Sequence, residues 1–168
     1  MVVKGANSPE RLLDETSLFL HTVASTLPQH QKQILRMLHD PELLLQGRRI
    51  LLVDDDLRNS FALSKVLKKA GLDVKLAENG KAALDMLAGA PDIELVLMDI
   101  MMPVMDGYET MAQIRVQPQF QNLPIVALTA KAMVEDRAKC IKAGANDYLA
   151  KPIDTDRLLS LMRVLLYK

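Results

Sequence analysis

An open α/β sheet with helices on both faces is the fold this sequence predicts, and three observations predict it. Three short apolar runs, Ile50-Leu51-Leu52-Val53, Leu95-Val96-Leu97-Met98 and Ile125-Val126-Ala127-Leu128, each end at a polar residue. Their apolarity is continuous rather than alternating, which suits parallel strands buried on both faces. Between the runs lie segments of helical spacing, so that strand and helix alternate five times over residues 48–168.

The first run is the first strand. After it, residues 60–70 place Phe61, Leu63, Val66 and Leu67 near helical spacing and stop at Gly71, a residue suited to the position just past a helix. Val74-Lys75-Leu76 is the second strand. Asn79 or Gly80 begins the second helix, with Ala83, Leu84 and Leu87 inward and an end near Gly89-Ala90-Pro91. The third strand follows at Leu95, then a short third helix over 107–114. The fourth strand starts at Ile125, and the fourth helix covers 131–143 and closes at Gly144. Asp147-Tyr148-Leu149-Ala150 is the fifth strand. Asp154 or Thr155 caps the last helix, whose apolar stripe is Leu158, Leu159, Met162, Leu165 and Leu166.

Residues 1–47 have a different texture: four basic and five acidic side chains, all three histidines, and no alternation of strand and helix. They read as a helical extension or linker to a domain at 48–168. Ser8-Pro9 is a cap followed by proline at the first helical position, and Leu12, Leu13, Phe19, Leu20 and Val23 form a stripe to about Ser25. Pro28 starts a second helix through Ile34, Leu35 and Leu38, which Asp40-Pro41 interrupts. The two chain ends also resemble each other. Val2-Val3-Lys4-Gly5 before Glu10-Arg11-Leu12-Leu13 parallels Leu149-Ala150-Lys151-Pro152 before Asp156-Arg157-Leu158-Leu159.

Composition narrows the function. Lysine and arginine total 21, as do aspartate and glutamate, and aromatics are 4%. That balance offers neither a basic surface for nucleic acid or anionic membrane nor a platform for base stacking. The single Cys140 excludes an internal disulfide and a cysteine-rich zinc site. No apolar run approaches the ~20 residues of a membrane span, and residues 1–15 lack a signal-peptide core. A cytoplasmic protein is the expectation.

In doubly wound sheets, ligands bind beyond the carboxyl ends of the strands. Those ends carry Asp54-Asp55-Asp56, Asp99, Thr129-Ala130 and Lys151-Pro152. With strand order 2-1-3-4-5, Asp54, Asp55 and Asp99 crowd the middle of the sheet, and Thr129 and Lys151 stand to one side. Carboxylates this close repel one another unless a cation neutralises them. Oxygen donors without histidine or cysteine select a hard ion, and Mg2+ suits a site with few protein ligands. A strand-end carboxylate left as nucleophile fits phosphoryl transfer. Asp99 attacks the incoming group, and Lys151 stabilises charge on its oxygens. The Thr129 hydroxyl and the Ala130 backbone N–H are placed to hold the same oxygens.

Leu52-Val53-Asp54-Asp55-Asp56, Leu97-Met98-Asp99-Ile100-Met101-Met102-Pro103 with Asp106-Gly107, Ala127-Leu128-Thr129-Ala130, and Tyr148-Leu149-Ala150-Lys151-Pro152 together resemble the receiver domain of two-component response regulators. The resemblance covers residues 48–168 and implies a flavodoxin-like five-stranded parallel sheet. It implies that Asp99 is the phosphoacceptor, that Asp55 assisted by Asp54 binds Mg2+, and that the Met101 backbone carbonyl ligates the metal. Thr129 and Tyr148 match the hydroxyl and aromatic positions whose movement reports phosphorylation in that family. Such a domain supports its own phosphotransfer and dephosphorylation. Its partners are a histidine kinase or histidine phosphotransfer protein, and its output surface is the fourth helix, fifth strand and fifth helix, where a second receiver or copy would dock. The N-terminal stretch resembles the last strand and helix of a preceding receiver-like domain, as in hybrid histidine kinases. The Arg163-Val164-Leu165-Leu166-Tyr167-Lys168 tail resembles their C-terminal modules.

Other readings of the same residues stand beside this one. A complete-looking site could serve a stand-alone interaction or phosphate-sink module. Asp54-x-Asp56 is also similar to haloacid-dehalogenase phosphatases, although Arg58 stands where that family wants threonine or valine, and a cap domain is missing. Met98, Met101, Met102 and Met105 read as core and loop residues rather than a soft-metal site. His21, His30 and His39 have no kinase-type context, and Cys140 reads as structural. Tyr148 reads either as a packed strand aromatic or as a switch that moves with Thr129.

Overall fold

The computed structural model describes residues 28–29, 44–130 and 133–167. The chain divides into two units, Met1–Leu43 and Leu44–Lys168. The helix expected over 8–25, the helix expected over 28–38 apart from residues 28–29, and the first copy of the repeated end motif lie outside the described residues, as does the start expected for the fourth helix.

Five parallel strands form one sheet: β1 (Arg49–Val53), β2 (Asp73–Ala77), β3 (Leu95–Asp99), β4 (Ile125–Thr129) and β5 (Asp147–Ala150). Their order is β2-β1-β3-β4-β5, all neighbours parallel, as the sequence predicts. Helices α1 (Leu57–Lys69), α2 (Gly80–Gly89), α3 (Gly107–Val116), α4 (Val134–Ala143) and α5 (Thr155–Leu166) connect and follow them.

The apolar runs are continuous because alternate residues serve two cores. Leu51, Val53, Val96, Met98, Ile125 and Ala127 face the layer that contains Ala83 and Leu87 of α2, Met111 and Ile114 of α3, and Cys140 of α4. Ile50, Leu52, Leu95, Leu97, Val126 and Leu128 face Leu67 of α1 and Leu158, Met162 and Leu166 of α5. Each such leucine or isoleucine contributes about 1.5–3 kcal/mol by leaving water, so a one-residue slip of any central strand is heavily penalised. The second core also takes in Leu45, which precedes β1, and Leu44 is buried as well. Arg48 fixes this entry by donating to the Leu44 carbonyl and pairing with Glu94 at 2.8 Å.

Side-chain caps set the helix starts. Asn79 accepts from Ala82 N–H at α2, Asp106 from Glu109 N–H at α3, and Asp154 from Asp156 and Arg157 N–H at α5. Helix α1 begins at Leu57, earlier than its apolar spacing suggests, because Asp56 caps it by accepting from the Arg58 and Asn59 N–H groups. Helix α3 runs on to Val116, and a 3-10 turn at Pro118–Phe120, which periodicity does not reveal, buries Phe120 before β4.

Candidate functional site

All five strands point their carboxyl ends the same way, and the two central ones, β1 and β3, are hydrogen-bonded neighbours. Asp54 leaves β1 and Asp99 ends β3, so the register alone brings these carboxylates together. One oxygen each from Asp54, Asp55 and Asp99 lies within 4.8 Å of the others. Asp54 and Asp99 are buried, whereas Asp55 is exposed at the rim.

The run of three aspartates thus divides by geometry. Asp54 turns inward and accepts the Asp56 backbone N–H at 2.9 Å. Asp55 faces solvent beside the cluster. Asp56 caps α1, and its second oxygen accepts from Asn59 Nδ2 at 3.0 Å. This capping role does not show in the apolar spacing, and Asn59, three residues on, stands where a capping box has Glu or Gln.

Lys151 follows β5 and reaches back across the sheet end. Its ammonium is 3.2 Å from Asp99 Oδ1 and 3.5 Å from Asp54 Oδ2. Its backbone N–H donates to the Thr129 carbonyl at 2.7 Å, which ties the β5 exit to the end of β4. The Lys151–Pro152 peptide is cis.

The charges interact strongly. Burial pushes the Asp99 carboxyl up from 3.8 to about 6; Lys151 opposes this, and the neighbouring Asp54 adds to it. Burial acts to lower Lys151, but Asp99 and then Asp54 outweigh it and hold the ammonium above its ordinary range.

Thr129 is buried at the end of β4, and Ala130 is exposed immediately after it. Met101, two residues beyond Asp99, is 69% exposed, so its side chain has no packing role. Tyr148 is half-buried on β5, opposite Ala127, with the Arg137 guanidinium 5.7 Å from its ring centre. The structure therefore gathers Asp54, Asp55, Asp99 and Lys151 by side-chain distance, and places Thr129 at the adjacent strand end.

The loop after β3 is held from behind. A Cβ on Gly107 would collide with the Asp99 carbonyl and the Ile100 Cα. A Cβ on Gly80 would strike Thr110 Oγ1 and the Met105 side chain. Two glycines thus let α3 and α2 close on this loop. Beside the acids, Asp54, Asn59, Leu63, Val66, Lys151 and Ile153 line a cleft of about 530 Å³. A second cleft of about 560 Å³, lined by Arg49, Glu94 and Leu123 among others, lies at the opposite ends of the strands, away from this chemistry.

A donor set of three carboxylate oxygens suits a small hard cation. Octahedral Mg2+ at about 2.1 Å from each ligand holds ligand oxygens about 3–4 Å apart, so the 4.8 Å spread needs only slight closure. No helix among the described residues is long and apolar enough to cross a membrane.

Residues 50–163 match the family model of the response regulator receiver domain. The response regulator MprA of Mycolicibacterium vanbaalenii is 44% identical over 119 residues, covering 70% of this chain and 50% of that protein. The chain spans about half the length of the curated relatives it matches. Among solved structures, Vibrio cholerae chemotaxis protein CheY4 aligns with a TM-score of 0.67 at 30% identity, over 71% of this chain and 98% of that one. The receiver domain of sensor histidine kinase PA1611 from Pseudomonas aeruginosa, with a magnesium ion coordinated in its active site cleft, aligns with a TM-score of 0.64 at 35% identity, over 73% and 99%. With the sheet order, the strand-end acids and the family match in agreement, the chain belongs to the response regulator receiver domain family.

Proposed function

We propose that this chain is a phosphoacceptor that takes a phosphoryl group from a phosphohistidine onto Asp99 and changes its partner surface in response. The observation that carries this is the bridging of Asp54 and Asp99 by the Lys151 ammonium at a buried strand end. A phosphoryl group attached to Asp99 brings oxygens that need a cation, and Lys151 is already in place.

In the transfer, an Asp99 carboxylate oxygen forms the new bond to phosphorus as the phosphorus–nitrogen bond to the donor imidazole breaks. The imidazole keeps the electron pair and is reprotonated from solvent. Lys151 stays against the reacting oxygens, and Thr129 with the Ala130 N–H holds them on the far side. Asp54, Asp55 and Asp99 would hold Mg2+ together with the Met101 carbonyl, and the bound ion would offset the charge gathered by the phosphoryl oxygens. Water then hydrolyses the acyl phosphate and restores Asp99.

Around this site, Leu57 and Phe61 on α1, Met101 and Val104 after β3, and Met133 and Val134 at α4 are all well exposed. That apolar rim fits a histidine kinase or phosphotransfer protein presenting its phosphohistidine. The phosphatase reading finds no support in the site, because the Asp56 carboxylate that would serve it is occupied in capping α1. Membership of a larger hybrid kinase, a linker role for residues 1–47, and a cytoplasmic setting belong to the same proposal.

Intact mass after incubation with phosphoramidate, with and without Mg2+, tests it on the parent and Asp99→Asn. One adduct that requires both Mg2+ and Asp99 is expected. An adduct that survives in Asp99→Asn would place the acceptor elsewhere.

A further inference from the structure

The chain as a whole is balanced at 21 cations and 21 anions, but helix α1 is not. Residues 57–72, which hold α1 and the turn after it, carry Arg58, Lys65, Lys68 and Lys69 and no acidic side chain. Each of the helices α2 to α5 contains an acid: Asp85, Glu109, Glu135 and Asp156 in turn. All four cations of α1 are exposed, and none forms an ion pair among the described residues. Complementing the helix dipole accounts for Lys68 and Lys69, which lie in the last turn. It does not account for Lys65, which precedes them by three and four residues. Like charges at those spacings destabilise a helix, and here nothing offsets them.

The cations form a line rather than a field. Ser60, Ser64 and Leu67 are the buried residues of α1. On the solvent side, Phe61, Lys65 and then Lys68 and Lys69 follow at steps of three to four residues. The stripe is therefore one helix wide and about 12 Å long. Phe61 at its upper end is 58% exposed, with the Lys65 ammonium 4.7 Å from its ring centre.

Beyond Phe61 the sign reverses. Asp55 is exposed just before α1 and belongs to the carboxylate cluster with Asp54 and Asp99. A nucleic acid or an anionic membrane laid along α1 is negative over its whole length and is repelled at this end. A protein segment can instead set acids opposite the lysines and an apolar side chain opposite Phe61.

We infer that the solvent face of α1 docks an acidic amphipathic helix of a protein partner, its carboxylates against Lys65, Lys68 and Lys69 and an apolar side chain on Phe61. Such complementarity selects the partner and fixes its orientation. The inference is independent of the phosphoacceptor reading, since these lysines belong neither to the carboxylate cluster nor to its ion pairs.

The probe is a synthetic alanine-based helix with a leucine near one end and glutamates at four- and three-residue steps from it, made in both sequence directions. It is titrated into the 15N-labelled full chain, beside the same helix with lysine for glutamate, a single-stranded oligonucleotide and phosphatidylserine vesicles. Amide shifts centred on 57–69 are expected with the glutamate helix alone, weakening at least about fivefold between about 0.05 and 0.5 M salt. The triple variant Lys65→Glu, Lys68→Glu, Lys69→Glu should lose that binding and take the lysine helix instead, with its amide spectrum outside α1 unchanged. Absence of shifts on α1, shifts indifferent to the triple variant, or tighter binding of the oligonucleotide or the vesicles would overturn the inference. Sedimentation of the chain alone covers the remaining occupant: a dimer that the triple variant dissolves would assign α1 to a second copy and overturn it too.

Discussion

The Lys151 ammonium lies 3.2 Å from Asp99 Oδ1, although the two residues leave different strands with β4 between them. The cation therefore moderates the repulsion among three acids before any metal is bound. Replacing it separates two roles. Lys151→Ala should cut the phosphoryl adduct yield by at least about tenfold, because a charged donor aimed at the reacting oxygens is gone. Mg2+ affinity at pH 8 should not fall, since the same carboxylates then carry less compensation. Parallel intact-mass and Mg2+ titration experiments check this, and parent-like phosphorylation of the variant would remove Lys151 from the chemistry.

The raised Asp99 carboxyl makes a pH prediction for the metal-free protein. Its value of about 6 exceeds the ordinary 3.8, so the folded state binds the proton more tightly than the unfolded chain. Its favourable contribution is complete below pH 3.8 and is lost as pH rises through about 6. The loss is at most about 3 kcal/mol, and less where water reaches the carboxyl and Lys151 pairs with it. Asp99→Asn lacks this titration. Urea denaturation without Mg2+ should show the variant close to the parent near pH 4 and more stable by up to about 3 kcal/mol at pH 7. Saturating Mg2+ should narrow the gap, since only the parent offers the third carboxylate. A stability difference that is flat from pH 4 to 7 would contradict the burial argument.

The parts of this fold that the sequence makes legible are those governed by burial. Continuous runs such as Leu95-Val96-Leu97-Met98 announce parallel strands, and the acids after them locate the site. What stays hidden depends on backbone geometry. Asp54, Asp55 and Asp56 are chemically identical letters, and only the turn that aims one inward, one outward and one at α1 gives them separate roles. Arg115, which donates to the carbonyls of Gly144 and Phe120, is equally silent, because its acceptors are mostly main-chain carbonyls, which every residue possesses. The 3-10 turn at Pro118–Phe120 is too short to show a period.

Neighbouring aspartates should therefore respond in opposite ways. Asp55 is exposed and belongs to the carboxylate cluster, so Asp55→Ala should leave stability within about 0.5 kcal/mol and weaken Mg2+ binding at least about tenfold. Asp56→Ala removes the α1 cap and should cost about 1 kcal/mol. Its effect on Mg2+ should be the smaller of the two. Calorimetric Mg2+ titration and urea denaturation of both variants decide the matter, and a reversed order would exchange the roles assigned to these two side chains.

Val104 stores strain in the loop that follows β3. The Met105 N–H donates to the Pro103 carbonyl at 2.8 Å, closing a γ-turn around Val104. Val104 has a φ of +70° and a fully exposed side chain. This positive-φ form of the turn is rare and strained, more so for a β-branched residue. Nothing packs on the isopropyl group, so its removal forfeits no contact. Val104→Gly relieves about 1–2 kcal/mol of backbone strain, and the greater freedom of glycine in the unfolded chain offsets part of that. A net gain of about 0.5–1 kcal/mol is expected in urea denaturation. Val104→Ala keeps a Cβ and should gain less. If both variants gain equally, exposure of the valine rather than its backbone is the source, and if neither gains, the loop has absorbed the strain in its bond angles.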